Sequence, residues 1–232
     1  MKSFFVTFLF SMIFNSGIAQ KTADEVVAKV IEAQGGLTKL KSIQSVKQQG
    51  NIEFSGQKVP YNVYIIHDKI LKIEFTFNGL TGYQLMAKDS GYQFSPFQGM
   101  TSPERMTAED IMQGQDNLDI QGVLIDYAQK GHSIELMEPE DVDGVDAIQL
   151  KVNLKSGKTL FYFIDPDTFY IIRTKVKGIS NGQEYTNISN NYNFKTTSNG
   201  LILPYTVDNI TYDNIEVNVP IDQKIFEIKK TK

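Results

Sequence analysis

Hydrophobic and polar residues alternate with a period of two along most of the chain, which predicts half-buried β-strands. The clearest stretch is residues 158–207, where β-branched and aromatic runs are separated by three turn signals. Asp165–Thr168 carries a proline-set bend, and Asn181-Gly182 and Asn199-Gly200 tolerate the positive φ that tight hairpins require. The stretch therefore predicts a four-stranded antiparallel meander.

The same period begins at Ser45 and continues through residues 45–94. Ile73, for example, belongs to an apolar set that alternates with Lys72 and Glu74, and Asn78-Gly79 then turns the chain. No helical pattern separates these strands, so they pair antiparallel. A single sheet of about ten or eleven strands must curl or close, because open twisted sheets of that size rarely stay flat.

Two regions carry helical patterns instead. Residues 22–34 form an amphipathic helix with a capping box from Thr22 and Glu25, and residues 37–43 add a short second helix. Residues 98–130 interrupt the strands as a helical insertion, in which Thr107 and Asp110 cap one helix. Residues 120–128 predict another, ended by Gly131.

The N-terminus matches a secretory signal peptide. Lys2 precedes an apolar core at residues 4–13, and Gly17-Ile18-Ala19 is a small-x-small cleavage site. The alternative is a buried first helix. We expect residues 1–19 to be removed on secretion, and the remaining residues 20–232 have the length of one large β domain or two small ones.

Composition and charge limit the kinds of molecule that the protein can bind. The formal net charge is −4, and removing the signal with its single Lys2 makes it −5, which argues against nucleic acid. The basic tail, residues 224–232, is interpreted as a solvated end rather than a binding patch. There is no cysteine, so the chain has no disulfide and no cysteine-linked lipid anchor.

Catalytic and metal motifs do not assemble. Residues 178–182 match G-x-S-x-G, but a nucleophile elbow precedes a helix, whereas Asn181-Gly182 predicts a hairpin. In hydrolases with this motif the catalytic histidine follows the serine, whereas both histidines here, His67 and His132, precede Ser180. The acidic run at residues 138–146 lacks a calcium-loop register and is interpreted as a charged strand end. A metal site shared by the two histidines stays open as an alternative, and no cofactor or catalytic residue is predicted.

The order of these segments resembles the LolA/LolB-type periplasmic lipoprotein-carrier superfamily, especially the outer-membrane lipoprotein-sorting-like proteins of Bacteroidetes-type bacteria. The motifs are ADEVVAKVIEAQGGLTKLKSIQSV, VDGVDAIQLKV, FYFIDPDTFYIIRTKV and SNGLILPYTV. The resemblance implies a mainly β fold with few helices: an unclosed, strongly curved antiparallel β half-barrel with an N-terminal helix and a helical lid. The lid corresponds to residues 98–130.

The resemblance also implies that residues 20–232 form a single domain in the periplasm, which is a non-enzymatic carrier of acyl chains of lipid or lipoprotein. It would act as a monomer and exchange cargo with membrane-associated donor and acceptor proteins. A long acyl chain costs on the order of ten kcal/mol to leave in water, since each methylene contributes about 0.8 kcal/mol. A lidded apolar cavity lowers that cost without chemistry.

Candidate cavity-lining residues are large apolar side chains on the strands and the lid, each of which is as compatible with ordinary core. They are Phe54, Tyr64, Ile66, Ile73, Phe75, Phe77, Met86, Phe94, Met112, Leu124 and Tyr127. The family's lid-tethering strand arginine has no counterpart in the early strands, so Arg105 at the lid entrance is a hypothetical substitute. Two alternatives remain: a protein- or peptide-binding scaffold with a filled cavity, and an enzyme.

Overall fold

The computed structural model describes residues 22–180 and 182–228. The predicted signal peptide, residues 1–19, lies outside the described residues, as do Asn181 and residues 229–232 of the basic tail.

Within this described part of the chain, thirteen antiparallel strands form one sheet. The strands are β1 Ser45–Phe54, β2 Gln57–Ile66, β3 Ile70–Phe77, β4 Leu80–Ala87, β5 Gly91–Phe94, β6 Glu104–Arg105, β7 Ser133–Val142, β8 Val145–Asn153, β9 Thr159–Ile164, β10 Ile171–Ser180, β11 Gln183–Thr196, β12 Ile202–Val207 and β13 Ile210–Val217. Their order across the sheet is β6-β5-β4-β3-β2-β1-β13-β12-β11-β10-β9-β8-β7. The sheet is curved and not closed, because β6 and β7 stand at its two edges. The predicted unclosed half-barrel is confirmed, with more strands than expected.

Local turn chemistry explains the hairpins. Asn78 and Gly79 both adopt positive φ between β3 and β4, and Asp143 and Gly144 do so between β7 and β8. The carboxylate of Asp165 accepts hydrogen bonds from the backbone N–H groups two and three residues on, at 2.9 and 2.8 Å. Within the G-x-S-x-G match, Gly178–Ser180 ends β10 and Gly182 directly precedes β11, so the described residues agree with its interpretation as a hairpin rather than a nucleophile elbow.

The N-terminal helices form as predicted. Helix α1 spans Ala23–Ala33 and α2 spans Leu37–Lys41. The capping box is complete: the Thr22 hydroxyl accepts from the Glu25 N–H, and the Glu25 carboxylate accepts from the Thr22 N–H. Buried α1 residues such as Val30 pack on β8 and β9 in one apolar cluster with Leu150 and Val152. We call this side of the sheet the helix-side face and the opposite side the outer face.

The lid segment, residues 98–130, is less helical than the sequence predicts. Helix α3 spans Ala108–Gly114 and has the predicted Thr107–Asp110 capping box, followed by a 3₁₀ helix at Gln115–Leu118. The predicted helix at residues 120–128 is wrong, since that stretch consists of turns. Gly122 and Asp126 adopt φ values of 99° and 50°, which a right-handed helix cannot contain.

The outer face is covered at one end by the C-terminal segment. A 3₁₀ helix at Gln223–Phe226 packs Phe226 against Tyr64, Tyr83 and Leu85. Among the described residues, no helix has the length and apolar character needed to span a membrane.

Candidate functional site

A strip of aromatic side chains runs along the helix-side face of β1–β3. It consists of Phe54, Tyr61, Phe75, Phe77 and Phe97, and we call it the aromatic strip. Strand register places Tyr61 opposite Phe75, and alternation along β3 puts Phe77 on the same face. The Phe54 and Phe77 rings meet edge to face at 5.7 Å, and the Phe75 and Phe97 rings lie 4.9 Å apart.

The aromatic strip is open to solvent at the end formed by the β1–β2 and β3–β4 turns. Phe54 is 56% exposed, and Leu80, which pairs with Phe77, is 48% exposed. Towards the other end the face closes, because Val63, Leu71 and Met86 are buried beneath Leu118 of the lid segment. The open portion is therefore an apolar groove with a closed inner end.

Gly82 makes room for the strip on β4. It pairs with Phe75, and a Cβ added at Gly82 would lie 2.5 Å from Cζ of Phe97. The missing side chain lets the Phe97 ring pack closely against the strand beside Phe75. This contact brings the loop after β5 onto the helix-side face.

Helix α3 and the 3₁₀ helix after it bridge the two walls of the sheet. On one wall, Gly114 approaches the Met86 side chain, and the Gln115 amide donates to the Lys88 carbonyl at 2.6 Å. On the other, Gln113 donates to the Ile179 carbonyl at 2.7 Å and accepts from the Tyr185 hydroxyl at 3.2 Å. The lid segment is thus held by polar contacts at both sides.

A buried cation secures the same bridge. The Lys158 ammonium forms an ion pair with Asp116 at 2.8 Å and also donates to the Gln113 carbonyl. Asp116 accepts a second hydrogen bond, from the Ser156 hydroxyl at 2.8 Å. These contacts fasten the lid segment to the β8–β9 turn.

The predicted lining residues divide between the two faces. Five lie on the helix-side face: Phe54, Ile73, Phe75, Phe77 and Met86. Three lie on the outer face, in the cluster that the C-terminal segment covers: Tyr64, Ile66 and Phe94. The second group is packed against protein on the side away from the lid segment.

The three lid residues are also separated. Met112 is 50% exposed, whereas Leu124 is buried in the cluster beneath α1. Tyr127 donates its hydroxyl to Asp24 of α1 at 2.6 Å, and this hydrogen bond raises the pKa of Tyr127. Leu124 and Tyr127 therefore tie the lid segment to α1.

Arg105 lies on the two-residue edge strand β6. It pairs with Tyr92 of β5, and its guanidinium sits 5.6 Å from the centre of the Tyr92 ring. Tyr92 in turn pairs with Leu85 of the outer-face cluster. Arg105 thus contacts Tyr92 of the neighbouring strand β5 rather than the aromatic strip.

Two strip residues, Tyr61 and Phe97, were missed by the sequence. Tyr61 shares its face with Val59 and Val63, so strict period-two counting along β2 would have found it. Burial raises its pKa, as it does for Tyr212, whose ring lies 6.4 Å away. Phe97 follows β5 in a 3₁₀ turn, where no periodic signal exists.

A second, polar cavity of about 250 Å³ lies between the lid segment and the β2–β3 and β4–β5 turns. Its lining is rich in charged and titratable side chains: His67, Asp68, Lys88, Gln115, Asp116, Leu118, Asp119, Val123, Lys130 and His132. Lys130 pairs with Asp119 at 2.5 Å. Burial and the nearby Lys130 charge lower the pKa of His132.

The acidic run at the β7–β8 hairpin is matched by cations of β10. Arg173 pairs with Asp143 at 3.0 Å, and Lys175 lies 3.8 Å from Glu140. This placement agrees with its interpretation as a charged strand end.

No protein-family model and no curated protein matches the chain. Several solved structures have a similar fold. A DUF1329 family protein from Desulfovibrio piger superposes with a TM-score of 0.55 at 15% identity, covering 90% of this chain and 98% of that one. A LolA superfamily protein from Nitrosomonas europaea gives a TM-score of 0.54 at 14% identity, with coverages of 90% and 98%.

An outer membrane lipoprotein-sorting protein domain from Vibrio parahaemolyticus gives a TM-score of 0.52 at 10% identity, covering 87% of this chain and 94% of that one. At these identities the comparison bears on architecture alone. The thirteen-stranded open sheet with its helix-side lid segment is therefore a LolA-like fold.

Proposed function

We propose that this protein is a periplasmic, non-enzymatic carrier that binds the acyl chains of lipids or lipoproteins in the groove over the aromatic strip. The observation that supports the proposal most is the exposure of large apolar side chains, led by Phe54 and Leu80, inside an open curved sheet. Exposed apolar patches of this kind are typical of ligand or partner sites.

The groove supplies the chemistry that an acyl chain requires. Aromatic side chains each offer 150–250 Å² of apolar surface. A chain laid along Phe54, Phe77 and Phe75 would replace its contacts with water by contacts with rings, and it would need no reaction to leave. Members of this architecture that are named for LolA or for lipoprotein sorting support the same interpretation.

One observation favours the alternative of a protein- or peptide-binding scaffold with a filled interior. Val30 of α1 and Leu150 and Val152 of β8 are fully buried against one another, so α1 fills the helix-side face over β8 and β9. The proposed acyl site is accordingly confined to the β1–β4 wall. A filled groove there as well would leave only the scaffold function.

The test combines extraction and titration. Purified protein is extracted with organic solvent for mass spectrometry, and delipidated protein is titrated with a fluorescent fatty acid. Saturable binding is expected. Phe54→Ala should weaken it about tenfold, the equivalent of about 1.4 kcal/mol of lost contact.

Tyr192→Ala is the matched control, because Tyr192 is an aromatic residue of similar exposure, 49%, on the distant strand β11. It should leave the affinity unchanged. The absence of both co-purified lipid and saturable uptake, or equal weakening by both substitutions, would exclude the aromatic strip as an acyl site.

A further inference from the structure

The polar cavity marks the place where the lid segment meets the β2–β3 turn. The Asp68 N–H donates to the Leu118 carbonyl at 3.0 Å, so the backbone contact is already made. Beside it lie the side chains of His67, at the end of β2, and Asp119, just after the 3₁₀ helix. The two side chains are 17% and 16% exposed.

Two buried polar atoms face each other at this contact without bonding. Nδ1 of His67 and Oδ1 of Asp119 are 4.0 Å apart, beyond hydrogen-bond distance. Neither atom has a hydrogen-bond partner among the described residues. Buried polar atoms are nearly always paired, so an unmade bond between two such atoms calls for an explanation.

The imidazole of His67 is surrounded by charged side chains. Asp68 Oδ2 lies 3.8 Å from its Nε2, and Asp119 lies beside its Nδ1, so a carboxylate is close to each ring nitrogen. Lys130 engages Asp119 only through the other oxygen, Oδ2. The remaining charged groups that line the cavity are Lys88, Asp116 and His132, and Asp116 is paired with Lys158.

We propose that His67 and Asp119 form a pH-sensitive latch that fastens the lid segment to the β2–β3 turn when His67 is protonated. Protonation gives both ring nitrogens a hydrogen, and a movement of about 1 Å makes the Nδ1–H···Oδ1 bond. Deprotonation removes the charge attraction, and the neutral ring carries a hydrogen on only one nitrogen, so its other nitrogen presents a lone pair to the carboxylate beside it. Histidine side chains as a class change charge between about pH 5 and 8, so measurements at both ends of that range test the latch.

The second histidine of the cavity provides an internal control. Nδ1 of His132 accepts a hydrogen bond from the Lys155 N–H at 3.1 Å, which requires that nitrogen to be unprotonated. Burial and Lys130 lower the pKa of His132, in the direction that keeps the ring neutral. His132 is therefore not part of the latch.

The latch concerns the motion of the lid segment and is independent of any cargo, so it can be tested without one. Because the chain has no cysteine, spin labels can be placed at exactly two introduced sites, Lys69→Cys and Gln129→Cys. Both native residues are exposed, the first in the β2–β3 turn and the second in the lid segment. Electron–electron distance measurements are made at about pH 5.5 and about pH 8.

The expected result is a narrow distance distribution at the lower pH and a broader, longer one at the higher pH. His67→Gln and Asp119→Asn should each abolish the difference, while His132→Gln should retain it. Far-UV circular dichroism shows whether each variant is folded. If one of the two latch variants does not fold, the other still tests the proposal. Identical distributions at both pH values in the unsubstituted chain, or a pH response that survives in His67→Gln, would overturn the proposal.

Discussion

The ammonium of Lys72 donates a hydrogen bond to the backbone carbonyl of Ile225 at 2.6 Å and so joins β3 to the C-terminal segment. Its side chain is 2% exposed, pairs with Glu74 at 2.7 Å and lies 4.8 Å from the centre of the Tyr83 ring. A buried lysine is costly unless it is paired and hydrogen-bonded, and here both conditions are met.

Replacing Lys72 tests this arrangement. Lys72→Met leaves Glu74 without its partner in a poorly solvated site, and we expect the free energy of unfolding to fall by about 3 kcal/mol or more. Chemical denaturation measures the change. Adding Glu74→Leu should recover part of the loss, because the unpaired charge is removed; no recovery in the double variant would contradict the explanation.

Among the glycines of the described residues, Gly50 of β1 leaves the least space for an added side chain. An added Cβ there would lie 2.1 Å from the Thr211 carbonyl oxygen, which belongs to the backbone of β13 and cannot rotate away. Gly50→Ala should therefore destabilise the protein strongly, by more than Gly82→Ala, where the nearest atom is the movable end of Phe97. The denaturation midpoints of the two variants measure this order of destabilisation. A lower midpoint for Gly82→Ala than for Gly50→Ala would contradict the explanation.

The buried lysine beneath α3 should control how firmly the lid segment is held. Lys158→Met removes the ion pair with Asp116 and the bond to the Gln113 carbonyl. We expect faster amide hydrogen exchange across residues 108–118 without global unfolding. Lys177→Met, at an exposed lysine of β10, is the control and should leave exchange unchanged.

Buried tyrosines predict a loss of stability in alkali. Burial raises the pKa of Tyr162 and of Tyr212, so unfolding releases protons above the ordinary tyrosine pKa of about 10. Their contribution is complete below that pH and is lost as pH rises towards the folded values. Denaturation midpoints should therefore fall above about pH 10.

Tyr212→Phe should make this fall shallower, since the side chain can no longer ionise in the unfolded chain. An ultraviolet titration provides the second measurement: Tyr162 and Tyr212 should remain un-ionised in the folded protein at pH values where exposed tyrosines have titrated. A fall of the same steepness in Tyr212→Phe would contradict the assignment.

Features decided by neighbouring residues could be predicted from the sequence. The Thr22–Glu25 and Thr107–Asp110 capping boxes and the turn at Asn78-Gly79 depend only on local chemistry, and all three form. The helix predicted at residues 120–128 failed for a local reason that apolar spacing ignores, since Gly122 and Asp126 adopt left-handed backbone angles.

The division of the sheet into two faces was beyond the sequence. Residues 63–66 of β2 are apolar on both faces, so alternation cannot say which side meets the lid segment. Tyr64 is buried on the outer face because Phe226, more than 150 residues away, covers it there. Lys72 alternates with apolar residues along β3, yet it is buried because the C-terminal segment covers the outer face there.

The pairing of β1 with β13 has a consequence for biosynthesis. Val46 leaves the ribosome long before Val217, yet the two are partners at the middle of the sheet. Until the last strand emerges, the first hairpins present an unpaired edge, and such edges invite aggregation. A circular permutant that begins at β7 and ends at β6 would synthesise the two central strands almost consecutively.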